Sequence, residues 1–323
     1  MSESIDRLWT PLITHYREDG SGGVLIDRER MAAHVDEVRP FVKQFLLAGS
    51  TGDGWDMNDE QLADIASFAA TDVFAGTTVV VGALGRTTED VVRRARVIED
   101  SALAKQSAGA VFAGLTICPP VDAQADQARI IAHYEQVLSQ TSAPVQMYEL
   151  PQVTGCSMNA QTVRTVAKTG RVTMFKDTSG KDAVASDGVD GVRLVRGAEG
   201  DYFEALQEKG YDGLLLSSGN IFGPTLRRIV ELHAAGSAEH GRDLARVLEA
   251  AIAALFNAAT AIEFSNPFSN VSRGVDHLLA YGGGWREAPM PLAHSGDRLP
   301  EAVLAQFAER LLGLVDKRAG YLS

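Results

Sequence analysis

Short runs rich in Val, Leu, Ile and Phe alternate along this chain with longer stretches of helical periodicity, and that rhythm limits the fold more than any single motif. The runs read as strands at Leu8–Thr14, Gln44–Ala48, Thr77–Ala83, Gly109–Ile117, Pro144–Glu149, Val172–Asp177, Val192–Arg196 and Gly213–Ser217. They lack strict polar alternation, as parallel strands covered on both faces do. Helix starts fit the gaps: Asn58-Asp59-Glu60 and Thr87-Thr88-Glu89-Asp90 place capping and acidic residues where orphan N–H groups favour them. Eight βα units predict a closed (β/α)8 TIM barrel, with an open doubly wound sheet as its rival. Beyond Ala238 the pattern turns helical, so a barrel over 1–238 and a C-terminal three-helix region over 239–323 are expected.

Composition narrows the partners. With 45% hydrophobic residues among 323, the chain can bury a full core. A formal charge of −12 argues against nucleic acid or an acidic membrane as partner, while a local pocket can still hold a small anion. The start MSESIDRLW has no basic n-region or apolar h-region, and no run reaches the ~18 apolar residues of a membrane span. A cytoplasmic protein with Cys118 and Cys156 as free thiols is the expectation. No histidine spacing suits a metal, the three tryptophans are scattered, and no Gly-x-Gly-x-x-Gly or Walker loop is present.

Barrel active sites form at the C-terminal strand ends, so polar residues that close apolar runs carry the functional signal. Lys176 ends "VTMFK". An amine held among apolar side chains loses its proton more readily and can attack a ketone to form a Schiff base. Alternatively, its stem lies along apolar surface while its head reaches water or pairs with Asp177, and the lysine alone favours this blander reading. "AGSTGD" offers backbone N–H groups and the hydroxyls of Ser50 and Thr51 as a carboxylate cradle, or an ordinary βα turn. Tyr148 closes the fifth run, as a proton carrier or as a core ring with its hydroxyl at the surface. The three together weigh more than any one.

In order along the chain, "TPLIT", "AGSTGD", "YELPQVTG", "FKDTSG", "GYDGLLLSSGN" and "NPFSNVSRGVDHLLAYGG" resemble the dihydrodipicolinate synthase and N-acetylneuraminate lyase family of class I aldolases. The resemblance implies that Lys176 forms an imine with the C2 carbonyl of pyruvate or a larger 2-oxo acid and that Tyr148 moves protons. It further implies that Ser50 and Thr51 bind the substrate carboxylate, that Leu215 lines the imine with its carbonyl, and that Thr178 contacts a substrate hydroxyl. It implies a homotetramer built as a dimer of dimers, with no metal or organic cofactor.

The departures narrow the chemistry. Val153 stands where dihydrodipicolinate synthases carry an arginine, and Val121 and Asp122 stand where they carry a tyrosine pair that completes a hydroxyl relay. Competence as such a synthase is therefore not expected. Glu149 replaces the usual asparagine beside the tyrosine, and strand alternation favours the face opposite Tyr148. Asp53 is expected in a turn or supporting role, and Glu199 and Asp201 are candidate contacts to a polyhydroxylated substrate. The leading expectation is a Schiff-base lyase acting on pyruvate and a 4-hydroxy-2-oxo acid or 2-oxo-3-deoxy sugar acid. A dehydratase of such sugar acids shares the same first steps, and a non-catalytic 2-oxo acid binding protein is the reading from another class.

Overall fold

The computed structural model describes residues 6–105 and 109–318. Eight parallel strands close into a barrel in the order β1-β10-β9-β8-β7-β6-β5-β4. They are β1 (Leu8–Pro11), β4 (Gln44–Leu47), β5 (Thr78–Gly82), β6 (Val111–Ile117), β7 (Val145–Glu149), β8 (Val172–Asp177), β9 (Arg193–Arg196) and β10 (Gly213–Leu215). An antiparallel hairpin of β2 (Tyr16–Glu18) and β3 (Val24–Ile26), absent from the sequence reading, follows the first strand. The expected first strand is three residues too long, because the Ile13 N–H leaves the ladder for Asn220 Oδ1 at 3.1 Å. The expected caps form: Asn58 and Gln61 make a reciprocal capping box, and Thr87 accepts from the Asp90 N–H.

The period of two along each strand sorts side chains between the two faces of the barrel wall. Trp9, Leu46, Val80, Met174, Val195 and Leu215 form one cluster, separate from the larger core between the strands and the surrounding helices. Lys176 follows Met174 by two residues and shares its face, while Phe175 joins the larger core.

Helices Ala238–Ala259, Pro267–Tyr281 and Glu301–Arg318 follow the eighth unit, and Leu244, Val275 and Phe307 belong to the larger core. Asn266 caps the second of them and reaches the Ser50 carbonyl at 3.2 Å, while the Ser269 hydroxyl donates to the Thr51 carbonyl at 2.8 Å. The C-terminal region thereby steadies a turn at the barrel mouth. Among the described residues no helix is long and apolar enough to cross a membrane. Both cysteines are buried and free.

Candidate active site

Lys176 is 3% exposed and makes no ion pair or hydrogen bond among the described residues. Its Nζ lies 4.2 Å from the centre of the Tyr148 ring, its neighbour in the β7–β8 register. Burial drives its pKa down from 10.5 to about 7, and the neighbouring Cys118 and Glu199 only partly oppose this. Asp177 does not pair with it. The Asp177 carboxylate accepts instead from Ser179 N–H at 2.7 Å and from the Tyr211 hydroxyl at 2.9 Å. The lysine is therefore buried and paired with no carboxylate, unlike the blander reading. Room for it depends on Gly197, where a Cβ would sit 2.7 Å from both Lys176 Cε and Thr178 Cγ2.

The Ser50–Asp53 turn is bracketed by two non-glycine residues at positive φ, Ala48 at 47° and Asp53 at 59°. The Ser50 and Thr51 carbonyls are engaged by the C-terminal region, yet no acceptor meets either N–H among the described residues. Two free donors on a turn suit a carboxylate. Asp53 takes the supporting role: it pairs with Arg273, which is fully buried and also donates through Nε to the Thr14 carbonyl at 2.9 Å.

Tyr148 is 2% exposed, and burial raises its pKa against the hydroxyls of Ser50 and Thr178, which lower it. Its oxygen lies 3.5 Å from Ser50 Oγ, which accepts a hydrogen bond from the Trp55 indole at 2.9 Å. The Thr178 hydroxyl donates to the Glu149 main-chain carbonyl. Trp55 packs against Leu84, Cys118, Tyr148 and Leu150. Burial pushes the Cys118 thiol well above its ordinary value, so it stays protonated. Trp55 and Cys118 were missed from sequence. The strand-end rule pointed to Cys118, which directly follows β6, whereas nothing in the spacing linked the Trp55 indole to Ser50.

Three acidic candidates are held by partners of their own. The Glu149 side chain accepts from Met158 N–H at 2.9 Å, and burial raises its pKa to about 7, so it serves the helix side. Asp201 is exposed and pairs with Lys209 at 2.6 Å and Arg196, away from the lysine. Glu199 stays with the site, near enough to Lys176 to influence its charge, but its oxygens are occupied by Ser218 N–H, Ser218 Oγ and the Tyr202 hydroxyl at 2.9, 2.7 and 2.9 Å. Burial raises its pKa against these donors. Leu215 is fully buried in the inner cluster. Asp122 pairs with Arg129 at 2.8 Å, and Val153 is 40% exposed, so neither supplies the cation or hydroxyl missing from the sequence.

The histidines that showed no metal spacing do gather: His15, His34 and Asp276 place their ligating atoms within 4.8 Å of one another. Asn220 Nδ2 donates to the Pro11 and Ser217 carbonyls, which turns Oδ1 toward His34 Nε2 at 3.1 Å, while His34 Nδ1 faces Asp276 at 2.7 Å. Both imidazole nitrogens then donate. His34 is an imidazolium, with no lone pair for a metal.

The structure is thus a closed (β/α)8 barrel with a desolvated lysine, a tyrosine and a turn of free N–H donors gathered at its strand ends. The model of the dihydrodipicolinate synthetase family matches residues 4–268, and the chain belongs to that family. A 4-hydroxy-tetrahydrodipicolinate synthase of Stenotrophomonas maltophilia is 29% identical over 236 residues, 72% of this chain and 75% of the relative. One from Anaplasma marginale is 26% identical over 183 residues, and the matched part spans only 56% of each protein. Among solved structures, the prophage protein YagE from E. coli K12, in complex with pyruvate, superposes with a TM-score of 0.78 at 22% identity, covering 97% of this chain and 99% of that one. The 2-keto-3-deoxygluconate aldolase of Sulfolobus, in complex with D-KDPG, gives 0.77 at 16% identity, covering 98% of each. At these identities the two structures speak for the fold alone.

Proposed function

We propose that this protein is a Schiff-base lyase that joins or separates pyruvate and an aldehyde through a 4-hydroxy-2-oxo acid, with 2-oxo-3-deoxy sugar acids as the substrate class. The observation that carries this is the buried, unpaired Lys176, whose pKa of about 7 leaves a large share as free amine at neutral pH. The amine adds to the C2 carbonyl, and Tyr148 protonates the departing hydroxyl, so water leaves and a protonated imine remains beside a tyrosinate. As the C3–C4 bond breaks, its electron pair moves into the C2–C3 bond to form the enamine, and the tyrosinate takes the C4 hydroxyl proton. Ser50 and Thr51 hold the carboxylate through their free N–H groups, and Thr178 and the Leu215 carbonyl line the imine. Glu199, close enough to Lys176 to influence its charge, is the candidate partner for a substrate hydroxyl.

The absence of a cation at Val153 and of a hydroxyl at Val121 and Asp122 weighs against a dicarboxylic partner, and so against the synthase activity named in the relatives. The raised pKa of Glu199 supports one second reading, a dehydratase in which its carboxyl protonates a departing hydroxyl. A protein that only binds 2-oxo acids has no need of a desolvated amine. The resemblance further supports a homotetramer working without metal or organic cofactor.

Borohydride reduction with saturating pyruvate tests the reading. A stable mass gain on Lys176 is expected, and an unmodified lysine overturns it. Assays of pyruvate release and of water loss from 2-oxo-3-deoxy sugar acids then separate lyase from dehydratase.

A further inference from the structure

The polar groups around Tyr148 form one chain of hydrogen bonds, and the chemistry of its two ends fixes its direction. At one end the Trp55 indole donates to Ser50 Oγ at 2.9 Å. An indole N–H cannot accept, so Ser50 accepts there and still has its hydrogen and a second lone pair to offer the Tyr148 oxygen, 3.5 Å away. At the other end the Thr178 hydrogen is committed to the Glu149 carbonyl, so toward the neighbouring Tyr148 hydroxyl Thr178 has only a lone pair to offer. With the Tyr148 hydrogen turned to Thr178, Ser50 donates to Tyr148, and the order runs Trp55 to Ser50 to Tyr148 to Thr178 to the Glu149 carbonyl. A hydroxyl in place of the indole could accept as well as donate and would pass protons outward. The indole cannot, and neither can a peptide carbonyl. Packing of Trp55 against Leu84, Cys118, Tyr148 and Leu150 holds the indole in place.

We propose that Trp55 is a positioning residue that acts through Ser50: it closes the hydroxyl chain and aims the Ser50 hydrogen at Tyr148, so that Tyr148 exchanges its proton with the molecule bound at Lys176 rather than along the chain. This inference rests on the imine reading of Lys176. When Tyr148 gives its proton to the departing hydroxyl, its O–H swings away from Thr178, and the oxygen left negative meets the Ser50 hydrogen already directed at it. Without the indole N–H, Ser50 is free to turn its hydrogen elsewhere. The missing hydroxyl relay at Val121 and Asp122 is thus replaced within one chain by a donor that orients and does not conduct.

Deuterium uptake into the methyl group of pyruvate in heavy water reads this proton transfer without a known aldehyde. Trp55→Phe is expected to slow the uptake about tenfold, while the pyruvate concentration giving half-maximal borohydride trapping of Lys176 stays within about twofold. In a Ser50→Ala background, Trp55→Phe should add less than about twofold, because the residue it acts through is gone. Unchanged uptake in Trp55→Phe, or an equal loss with and without Ser50, overturns the proposal. β-(3-benzothienyl)alanine at position 55, which keeps the ring shape and lacks the N–H, should reproduce the slowing if the phenylalanine variant repacks or fails to fold; normal uptake with it overturns the proposal as well. Failure to trap the wild-type lysine would instead sink the imine reading itself, so the two failures are distinguishable.

Discussion

Two buried basic side chains, Arg273 and Lys176, have been treated in opposite ways. Arg273 is fully buried and is given a carboxylate, Asp53, and a carbonyl. Asp276, three residues on, is likewise surrounded: burial pushes its carboxyl up, but His34, His15 and Arg30 outweigh that and hold it well below the usual range. Lys176 is equally dry and is given no counter-ion. Keeping it charged there would cost roughly 5 kcal/mol, at about 1.4 kcal/mol for each unit its pKa has fallen. The pair of Arg273 with Asp53 braces the Ser50–Asp53 turn. The unpaired lysine is the amine proposed to attack the substrate, and the fold tolerates its cost.

The largest effect that could break this comparison is at the lysine. Lys176→Met should lower turnover by at least about 10^4-fold, since the nucleophile is lost. The same variant should unfold at a higher temperature. A depressed lysine pKa makes the folded state bind fewer protons than the unfolded one, so its penalty is full below pH 7 and fades as pH rises toward 10.5. The gain in melting temperature should therefore be clear at pH 7 and nearly absent at pH 10.5. A variant that melts earlier than wild type at pH 7 would mean that the lysine is paired after all.

Arg273→Met should do the reverse and destabilise the fold by about 3–5 kcal/mol, because the Asp53 carboxylate is left buried without a partner. Adding Asp53→Asn should recover most of that loss, as seen by denaturant midpoint. A single variant that loses less than about 1 kcal/mol would put Arg273 outside the support of the cradle.

The barrel was legible because strand and helix periods alternate eight times, and the reactive side chains because each ends an apolar run. The hairpin Tyr16–Glu18 and Val24–Ile26 was not, since three-residue strands carry too few side chains to show a period. Strand alternation set Glu149 opposite Tyr148, as the structure has it, whereas the loop after β9 has no period, and there Asp201 turns to Lys209 and Arg196 while Glu199 stays near Lys176. The indole of Trp55 on Ser50, and the meeting of His15, His34 and Asp276, depend on contacts that spacing does not encode: the second joins residues 242 positions apart.

The smallest effect sharpens the comparison by separating two groups that titrate together. Lys176 and Glu149 both have pKa values near 7, one lowered and one raised by burial, on opposite faces of the barrel wall. If the amine limits imine formation, kcat/KM should rise about tenfold per pH unit below pH 7 and level off above it, because only the unprotonated lysine attacks. Glu149→Gln keeps an oxygen for the Met158 N–H and removes the carboxylate's titration, so the limb should stay near pH 7 in that variant. A limb that vanishes with Glu149 would assign it to the carboxylate, and Lys176 would then titrate outside the measured range, contrary to the desolvation on which its chemistry depends.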